Sequence, residues 1–387
     1  IGEKQYVPAQ QMQGGQYVVD PELADYVSKV GNRVAAFTNI DLPYEFVVLN
    51  SSVPNAWALP GGKVAINRGL LVELRNEAEL AAVLGHEVVH AAARHGAKQM
   101  ERGMLLQGAL TATAIGLAGT GYGNSVMQSA QVAAGLVNTK YGRDAERESD
   151  YYGTRMLAQA GYDPYAAVTL QETFLKLSEG REQSWVDGLF SSHPPSAERV
   201  QKNRALVETL RSEGYVGGEY GSDRYQAAVR VIRRDKEAYA KADRARSAAR
   251  DGDLEEALTL VEQALDAQNE EPTFHALRGD IRFEQERYGD AIVNFDRAIE
   301  RDDGFYAHYL GRGMSYVAEG DRARAKSDLN ASVELLPTTI AYLELGKIAE
   351  AEGNTDLAGR YYQAAGQSDG VVGQEARARY SRLYSQG

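Results

Sequence analysis

A spacing of 33 or 34 residues recurs through the second half of the chain, and it constrains the fold more than any other feature. Three glycines carry it, Gly279, Gly313 and Gly346. Four alanines keep the same spacing, and each is followed seven residues later by a second small residue; these alanines are Ala257, Ala291, Ala325 and Ala358. Because two closely packed helices need small residues where they cross, each unit is expected to form one helical hairpin.

These units have the length and the small-residue pattern of tetratricopeptide repeats, which contain two helices each. Gly252, Gly320 and Gly353 stand five residues before the corresponding alanine, where the two helices of a hairpin must turn. Glu286 takes that place in the remaining unit. About four repeats are therefore predicted within residues 236–387, with the last stretch as a polar cap. Such repeats stack into a solenoid whose surfaces bind other proteins.

Composition excludes several classes of function. The 387-residue chain has a formal net charge of −12, and its Lys and Arg residues are scattered among acidic ones, so no nucleic-acid partner is expected. The chain contains no cysteine, which rules out disulfides, thiolate nucleophiles and cysteine-based metal sites. Any bound metal must therefore be held by histidine and carboxylate groups.

Membrane contact is expected to be peripheral at most. The most apolar stretch, residues 104–120, only just reaches the length of a spanning helix, and polar residues and glycines interrupt it. It is interpreted as a buried or interfacial helix. The chain starts at Ile1 instead of Met, so the other route to a membrane is an anchor on a segment removed from upstream of Ile1.

A metal-binding pattern lies in the first half of the chain. Residues 77–94 are rich in good helix formers, and their apolar residues recur at helical spacing. On this helix His86 and His90 are four residues apart and face the same way, and Glu87 can reach a water on the same ion. The alternative is a pair of core histidines, but a His-Glu-His cluster is costly to bury unless something compensates it. One Zn²⁺ per chain is expected.

Two histidines leave a catalytic zinc site one protein ligand short, since such sites usually take three. The metzincin pattern, a glycine and a histidine beyond the second ligand, is absent because Ala93 and Gly96 occupy those positions. His95 lies five residues after His90, about 140° round the helix, and is predicted to point away from the metal. The third ligand must therefore come from another segment.

A second helical stretch supplies Glu146 and Asp150, again four residues apart on one face. Glu146 is predicted to bind the metal. Asp150 is predicted to accept a hydrogen bond from the free ring nitrogen of a ligand histidine and so to fix its tautomer. Glu148 falls on roughly the opposite face, and the preferred interpretation is a solvated charge paired with Arg143 or Arg147.

The His-Glu-x-x-His motif at 86–90 and the Glu-x-x-x-Asp motif at 146–150 resemble those of the gluzincin peptidases related to HtpX and the CAAX prenyl protease. The resemblance is strongest to the BepA-type members, which carry tetratricopeptide repeats behind the protease domain. Residues 55–71 also resemble the strand and loop that precede the metal helix in that family. Trp57 and Gly142 depart from its more usual Phe and Ser, and neither is a proposed ligand.

The expected fold class is α+β, a mainly helical metalloprotease domain of the gluzincin type with a small sheet, followed by an all-α solenoid of repeats. The expected bounds are 1–215 for the zinc metalloprotease domain, 216–235 for a linker or connecting helix and 236–387 for the repeats. The resemblance implies a zinc-dependent endopeptidase in the periplasm of a Gram-negative bacterium, free or lipid-anchored. It further implies a task in outer-membrane protein quality control, with protein substrates and outer-membrane assembly proteins as partners of the repeats.

Catalysis in such a site needs a base and an oxyanion donor. Glu87 is expected to take the proton of the attacking water and pass it to the leaving amine. The oxyanion donor remains open among His193, Arg199, Tyr151 and Tyr152. His193 precedes two prolines and is therefore presented from a loop. Resemblance to BepA-type proteins suggests instead that His193 can occupy the open metal position and hold the enzyme inactive; the third alternative is a surface histidine.

Substrate peptide is expected to add as a strand along an extended segment ahead of the metal helix, through main-chain hydrogen bonds that do not depend on sequence. The alternative for this segment is an ordinary core strand. The rival to the protease hypothesis is a chaperone or scaffold whose repeats do the main work and whose metal site is mostly inactive. The predicted substrate strand consists of Asn55, Ala56, Trp57, Ala58 and Leu59.

Overall fold

The computed structural model describes residues 2–98, 141–178 and 192–385. The described residues fall into two compact units. The first ends at Arg234 and contains the predicted metal motifs, and the second begins at Asp235 and contains the predicted repeats.

Helices dominate the described part of the first unit, and three strands accompany them. In chain order the elements are α1 (Gly2–Met12), α2 (Pro21–Ala35), β1 (Glu45–Leu49), β2 (Ala56–Leu59), β3 (Lys63–Asn67), α3 (Arg68–Leu71), α4 (Glu77–Ala92), α5 (Arg143–Gln159), α6 (Tyr165–Ser178), α7 (Ala197–Ser212), α8 (Ser222–Ala228) and α9 (Arg230–Arg234). None of the helices that the structure describes is long and apolar enough to cross a membrane. The apolar stretch 104–120 lies outside the described residues.

The three strands form one small sheet in the order β1-β3-β2. β1 runs parallel to β3, with Glu45 opposite Lys63, and β2 runs antiparallel to β3, with Ala56 opposite Ile66. Helix α2 packs against β1, and α4 packs against β2 and β3. All four side chains of β2 are buried, so this edge strand is also part of the core.

The N-terminus of α4 is capped by its neighbours. The Asn76 side chain accepts a hydrogen bond from the backbone N–H of Glu79 at 2.9 Å. The Glu79 carboxylate accepts from the backbone N–H and the guanidinium of Arg75, at 2.8 and 2.9 Å. The first contact satisfies an N–H group that the first turn of a helix cannot satisfy itself, and the contacts of Arg75 tie the chain ahead of Asn76 to the same turn. A fixed first turn sets the rotation of α4, and with it the direction of the side chains further along.

Glu77 anchors the same helix to distant parts of the first unit. Its side chain is 5% exposed, and its carboxylate accepts from the hydroxyls of Tyr26 at 2.6 Å and Tyr162 at 2.7 Å. Arg224 of α8 donates to the same carboxylate at 2.8 and 3.0 Å. Residues 216–235, predicted as a linker or connecting helix, thus contain two short helices, and the first of these is bound to the N-terminal end of α4.

The described part of the second unit consists of helical hairpins followed by a last single helix. The hairpins are α10 (Lys236–Asp251) with α11 (Leu254–Ala267), α12 (Pro272–Glu284) with α13 (Tyr288–Arg301), α14 (Tyr306–Glu319) with α15 (Arg322–Leu335), and α16 (Thr339–Ala351) with α17 (Thr355–Ala365); α18 (Val371–Ser385) follows. Each hairpin packs on the next one along the chain. The predicted architecture, a mainly helical region with a small sheet followed by an all-α solenoid, is confirmed.

The periodic glycines lie where the two helices of a hairpin cross. A Cβ on Gly279 would lie 3.1 Å from the ring of Phe295, and a Cβ on Gly346 would lie 2.5 Å from the ring of Tyr362. A larger residue would therefore separate the helices of the hairpin. At the turn between α12 and α13, Glu286 has φ +58°, the left-handed conformation that glycines adopt at the equivalent turns.

Candidate metal centre

Helices α4 and α5, which carry the predicted ligands, cross at two glycines. A Cβ on Gly153 would lie 3.0 Å from the backbone nitrogen of His86 and 3.1 Å from the carbonyl carbon of Gly85. A Cβ on Gly85 would lie 3.3 Å from the carbonyl oxygen of Gly153. These neighbours are backbone atoms, so a side chain at either position would push the helices apart. The close approach brings Glu146 and Asp150 against the histidines of α4.

Four donor groups converge at this crossing, His86, His90, Glu146 and His193, and their ligand atoms lie within 4.8 Å of one another. The Nε2 atoms of His86 and His90 are 3.0 Å apart. Glu146 Oε1 lies 3.3 Å from His90 Nε2, and Glu146 Oε2 lies 3.6 Å from His86 Nε2. A tetrahedral ion with bonds of about 2.0–2.1 Å separates its ligand atoms by about 3.3 Å. The donor set therefore fits a divalent metal held by imidazole and carboxylate.

His193 reaches the cluster from the turn ahead of α7. Its Nδ1 lies 2.9 Å from Glu146 Oε1 and 3.3 Å from His86 Nε2. The residue is 3% exposed, which excludes the alternative of a histidine packed on the domain surface. The helix that follows is capped by Ser196, whose hydroxyl accepts from the backbone N–H of Arg199 at 3.2 Å.

Asp150 and Arg199 hold the ligands in place from behind. Asp150 Oδ1 lies 3.1 Å from His86 Nδ1, so the carboxylate accepts from the ring nitrogen that faces away from the cluster. Arg199 donates to both oxygens of Asp150 at 2.7 and 2.8 Å, and its Nη1 lies 2.8 Å from Glu146 Oε2. Arg199 therefore bridges the two carboxylates of α5 and neutralises part of their charge.

Glu87 lies next to the donor groups, with its Oε1 3.5 Å from His193 Nε2. It is 1% exposed, and its Oε2 has no hydrogen-bond partner in the part of the chain that the structure describes. Burial raises the pKa of Glu87, although His193 and His86 oppose the rise. A cavity of about 30 Å³, room for about two waters, adjoins this carboxylate and is also lined by Ser149 and Gln171. Glu87 can therefore exchange a proton with a water held there.

Opposite charges offset the burial of the ligand groups. Burial alone would raise the pKa of Glu146, but His193 and His86 lower it well below the usual range. Burial alone would lower the pKa of His86, but Glu146 and Asp150 outweigh that effect and raise it to about 10. Burial lowers the pKa of His90 well below its usual value. A histidine ligand must be neutral, so a bound cation would displace the proton that Glu146 and Asp150 stabilise on His86, and it would take over the pairing with the Glu146 carboxylate.

Two predictions about neighbouring residues are only partly right. His95 is not one of the four donor groups, as predicted, but it packs against His90, because Arg94 adopts a left-handed φ of +56° and ends the geometry of α4 before residue 95. His95 Nδ1 lies 3.1 Å from His90 Nδ1. Glu148 is exposed, as predicted, but the partner of its Oε2 is His95 Nε2, 3.4 Å away, and not the predicted arginine.

The two tyrosines considered as oxyanion donors lie at the surface. Tyr151 and Tyr152 are 44% and 52% exposed, and within the described ranges no hydrogen bond joins either to the donor groups. A tyrosine that the sequence did not indicate, Tyr141, packs its ring centroid 4.0 Å from that of His90 and 5.1 Å from that of His193. No spacing rule connects Tyr141 with α4, so the only available signal was an aromatic residue just ahead of the helix that carries Glu146.

Known proteins resemble both units. Residues 21–207 match peptidase family M48, and residues 242–306 and 310–371 match the tetratricopeptide repeat. Metalloprotease YcaL of Escherichia coli (strain K12) is 34% identical to this chain, over 48% of this chain and 73% of YcaL. This match covers most of the relative's length.

Two further relatives are matched over a smaller share of their length. Mitochondrial metalloendopeptidase OMA1 of Schizosaccharomyces pombe is 34% identical over 55% of this chain and 60% of OMA1. Beta-barrel assembly-enhancing protease of Escherichia coli (strain K12) is 27% identical over 58% of this chain and 48% of that protein. The chain thus spans less than two thirds of either relative. The family resemblance inferred from the sequence is nevertheless confirmed, and the chain belongs to peptidase family M48, with tetratricopeptide repeats following the metalloprotease region.

Proposed function

We propose that this chain is a zinc-dependent endopeptidase that cleaves unfolded or misassembled proteins. The observation that carries the proposal is the convergence of His86, His90 and Glu146 on one point, with the buried carboxylate of Glu87 beside it. Two histidines and one glutamate are the protein ligands of hydrolytic zinc sites, which keep a fourth position exchangeable. The lack of cysteine leaves this donor type as the one available to the chain.

Each residue of the site then has a defined part in peptide hydrolysis. When bound, the metal polarises the scissile carbonyl and lowers the pKa of a neighbouring water. Glu87 takes a proton from the attacking water and delivers it to the amide nitrogen as the C–N bond breaks. Asp150 keeps His86 in the tautomer that presents Nε2 to the cluster. Arg199 offsets the negative charges of Asp150 and Glu146, which are otherwise costly to bury together.

His193 is proposed to block the site in its resting state. Its Nδ1 lies among the ligand atoms, at the place that water or the substrate carbonyl must use. Because a loop carries His193, it can withdraw without moving α4 or α5. Once withdrawn, His193 could serve as the oxyanion donor. Removal of its imidazole distinguishes the two roles, because proteolysis should rise if His193 blocks the site and fall if it stabilises the oxyanion.

The substrate backbone is proposed to pair with residues 55–59, which comprise β2 and the residue ahead of it. The N–H of Asn67 donates to the carbonyl of Asn55 at 2.8 Å, and the antiparallel ladder alternates from there. Ala56 and Ala58 consequently turn their N–H and C=O groups away from β3. No backbone hydrogen bond reaches these two alanines from that side among the described residues. The two residues are 0% and 4% exposed, so this edge must be uncovered before a peptide pairs with it. An extended peptide could then use these groups whatever its sequence, which favours broad specificity.

The repeats are proposed to bind substrate proteins or outer-membrane assembly proteins, in the periplasm of a Gram-negative bacterium, free or lipid-anchored. Similarity to beta-barrel assembly-enhancing protease supports this, as does the stack of helical hairpins. The second candidate is a chaperone or scaffold whose metal site is mostly inactive. The position of His193 within the ligand set is the observation that favours it.

Glu87→Gln distinguishes the two candidates. A protease should lose about 10²- to 10⁴-fold of its rate on labelled casein, an unfolded test substrate, while its zinc content stays at one ion per chain. A chelator should abolish wild-type cleavage, and added Zn²⁺ should restore it. A chaperone would suppress aggregation of an unfolded protein equally well in wild type and variant, with no cleavage in either. The comparison should be repeated in a His193→Ala chain, so that a blocked site is not mistaken for an inactive one.

A further inference from the structure

The end of α4 folds back onto one of its own ligands. The helix ends at Ala92, and the left-handed conformation of Arg94 reverses the direction in which the next side chain points. His95 is thereby buried, 7% exposed, with its ring centroid 4.9 Å from that of His90. The fold thus places a fourth imidazole beside the cluster without placing it among the ligand atoms.

The contacts determine which atom donates and which accepts along the chain from His90 through His95 to Glu148. His90 presents Nε2 to Glu146 and His86, so its proton must reside on Nδ1 when Nε2 binds a metal. That Nδ1–H lies 3.1 Å from His95 Nδ1, which can then only accept. His95 must in turn carry its own proton on Nε2, where Glu148 Oε2 lies 3.4 Å away as the acceptor. The tautomers of both rings follow from the contacts.

His86 is held in a similar way, but by a carboxylate in direct contact with its ring. Asp150 contacts His86 Nδ1 directly and has a side chain that is only 10% exposed. Glu148, on the same helix, is 47% exposed and contacts His90 only through His95. Each ligand histidine thus has a carboxylate of α5 behind it, one buried and one at the surface.

We propose that His95 and Glu148 act as positioning residues for His90, holding its ring in the orientation and tautomer that bind the metal. The proposal rests on the metal-dependent function proposed above. Groups behind a ligand histidine that accept its free N–H typically contribute 10- to 100-fold to metal affinity. A surface carboxylate at the end of such a chain makes the affinity of a buried site sensitive to a change outside it.

Zinc affinity, measured by competition with a chromogenic chelator, tests the proposal. His95→Phe keeps a ring but removes the acceptor for His90, and should weaken Zn²⁺ binding about 10- to 100-fold. His95→Gln keeps an acceptor oxygen and should recover part of that loss. Glu148→Gln should weaken binding less than His95→Phe. The absorption bands of the Co²⁺-substituted protein, which report ligand geometry, should shift in His95→Phe and move back toward wild type in His95→Gln.

Asp144→Asn is the matched control, because Asp144 lies on the same helix with a fully exposed side chain and should leave both readouts unchanged. Wild-type affinity and an unshifted Co²⁺ spectrum in His95→Phe would overturn the proposal. If His95→Phe does not fold, as judged by circular dichroism, Glu148→Gln decides. A loss of zinc affinity larger than that of Asp144→Asn supports the proposal, and an unchanged zinc affinity overturns it. A wild-type chain that binds no zinc would instead refute the proposed function.

Discussion

The Nδ1 of His193 lies 2.9 Å from the Oε1 of Glu146, between groups that two helices already hold in place. The helical donors are fixed by backbone packing, whereas His193 comes from a turn ahead of α7. The donor group that is easiest to withdraw is therefore the one proposed to block the site. This difference in how the groups are held makes His193 the residue whose removal is most informative.

His193→Ala is expected to raise proteolysis about 10-fold or more, because a minor open state that is populated at a few per cent becomes the dominant one. Casein cleavage by the variant should be compared with wild type at saturating Zn²⁺. Self-cleavage, seen as fragments on storage, would agree with this. A lower rate would instead indicate that His193 donates to the oxyanion. An unchanged rate would show that His193 neither blocks the site nor stabilises the oxyanion.

Glu146→Gln is expected to weaken zinc binding by more than about 100-fold, because it replaces a proposed direct ligand. Substitution of a residue that only hydrogen-bonds to a metal ligand typically weakens metal binding about 10- to 100-fold, so loss of a ligand should cost more. Bound zinc after dialysis, measured by atomic spectroscopy, checks this. Asp144→Asn on the same helix should keep full occupancy. One zinc per chain in Glu146→Gln would show that another carboxylate is the ligand.

Glu286→Gly is expected to stabilise the second unit by about 1 kcal/mol, because Glu286 is held at φ +58°, which is unfavourable for a residue with a Cβ. Calorimetry of the full chain should show a higher melting temperature for the transition of the repeats. Glu262→Gly, at an exposed position inside α11, should lower it by about 0.5–1 kcal/mol. Equal effects of the two changes would contradict the backbone explanation.

His308 is expected to make the second unit sensitive to acid. The residue is fully buried in α14, and burial lowers its pKa to about 3. The unfolded chain, with an ordinary pKa near 6.5, therefore binds a proton that the folded chain does not, so stability falls as pH drops below about 6.5. The loss is about 2 kcal/mol by pH 5, before the folded-state pKa is approached.

His308→Phe removes this titration and keeps a ring of similar shape. Its melting temperature relative to wild type should rise as the pH is lowered from 8 to 5. The difference in melting temperature between variant and wild type at pH 8, where the histidine is neutral in the folded and unfolded states, reports packing alone and serves as the control. A difference that does not change with pH would show that His308 is not buried as a neutral ring.

The parts of the site that sequence could predict are those set within one helix. Four-residue spacing is enough to put His86 with His90, and Glu146 with Asp150, on common faces, because helix geometry is local. Sequence could not establish that the two faces meet, since that depends on packing between distant segments. His193 was accordingly left with several alternatives, and its contact with Glu146 in the donor cluster could be established only from the structure.

His95 shows where the same reasoning fails. Its predicted direction assumed that the helix continues to residue 95, whereas Arg94 breaks it with a left-handed residue that no glycine announces. In the second unit the period fixed the hairpins well, because each repeat depends mainly on its neighbours. There too the exception, Glu286, keeps the glycine-like backbone without the glycine.

The crossing of α4 and α5 at Gly85 and Gly153 has a thermodynamic consequence for metal binding. With no side chain between the helices, their separation is set by backbone contact and does not depend on rotamers. The entropy of bringing His86, His90 and Glu146 together is therefore lost when the chain folds, before any ion arrives. A site preorganised in this way should bind its ion with little further ordering of the protein, and only the loop of His193 should change its freedom of motion.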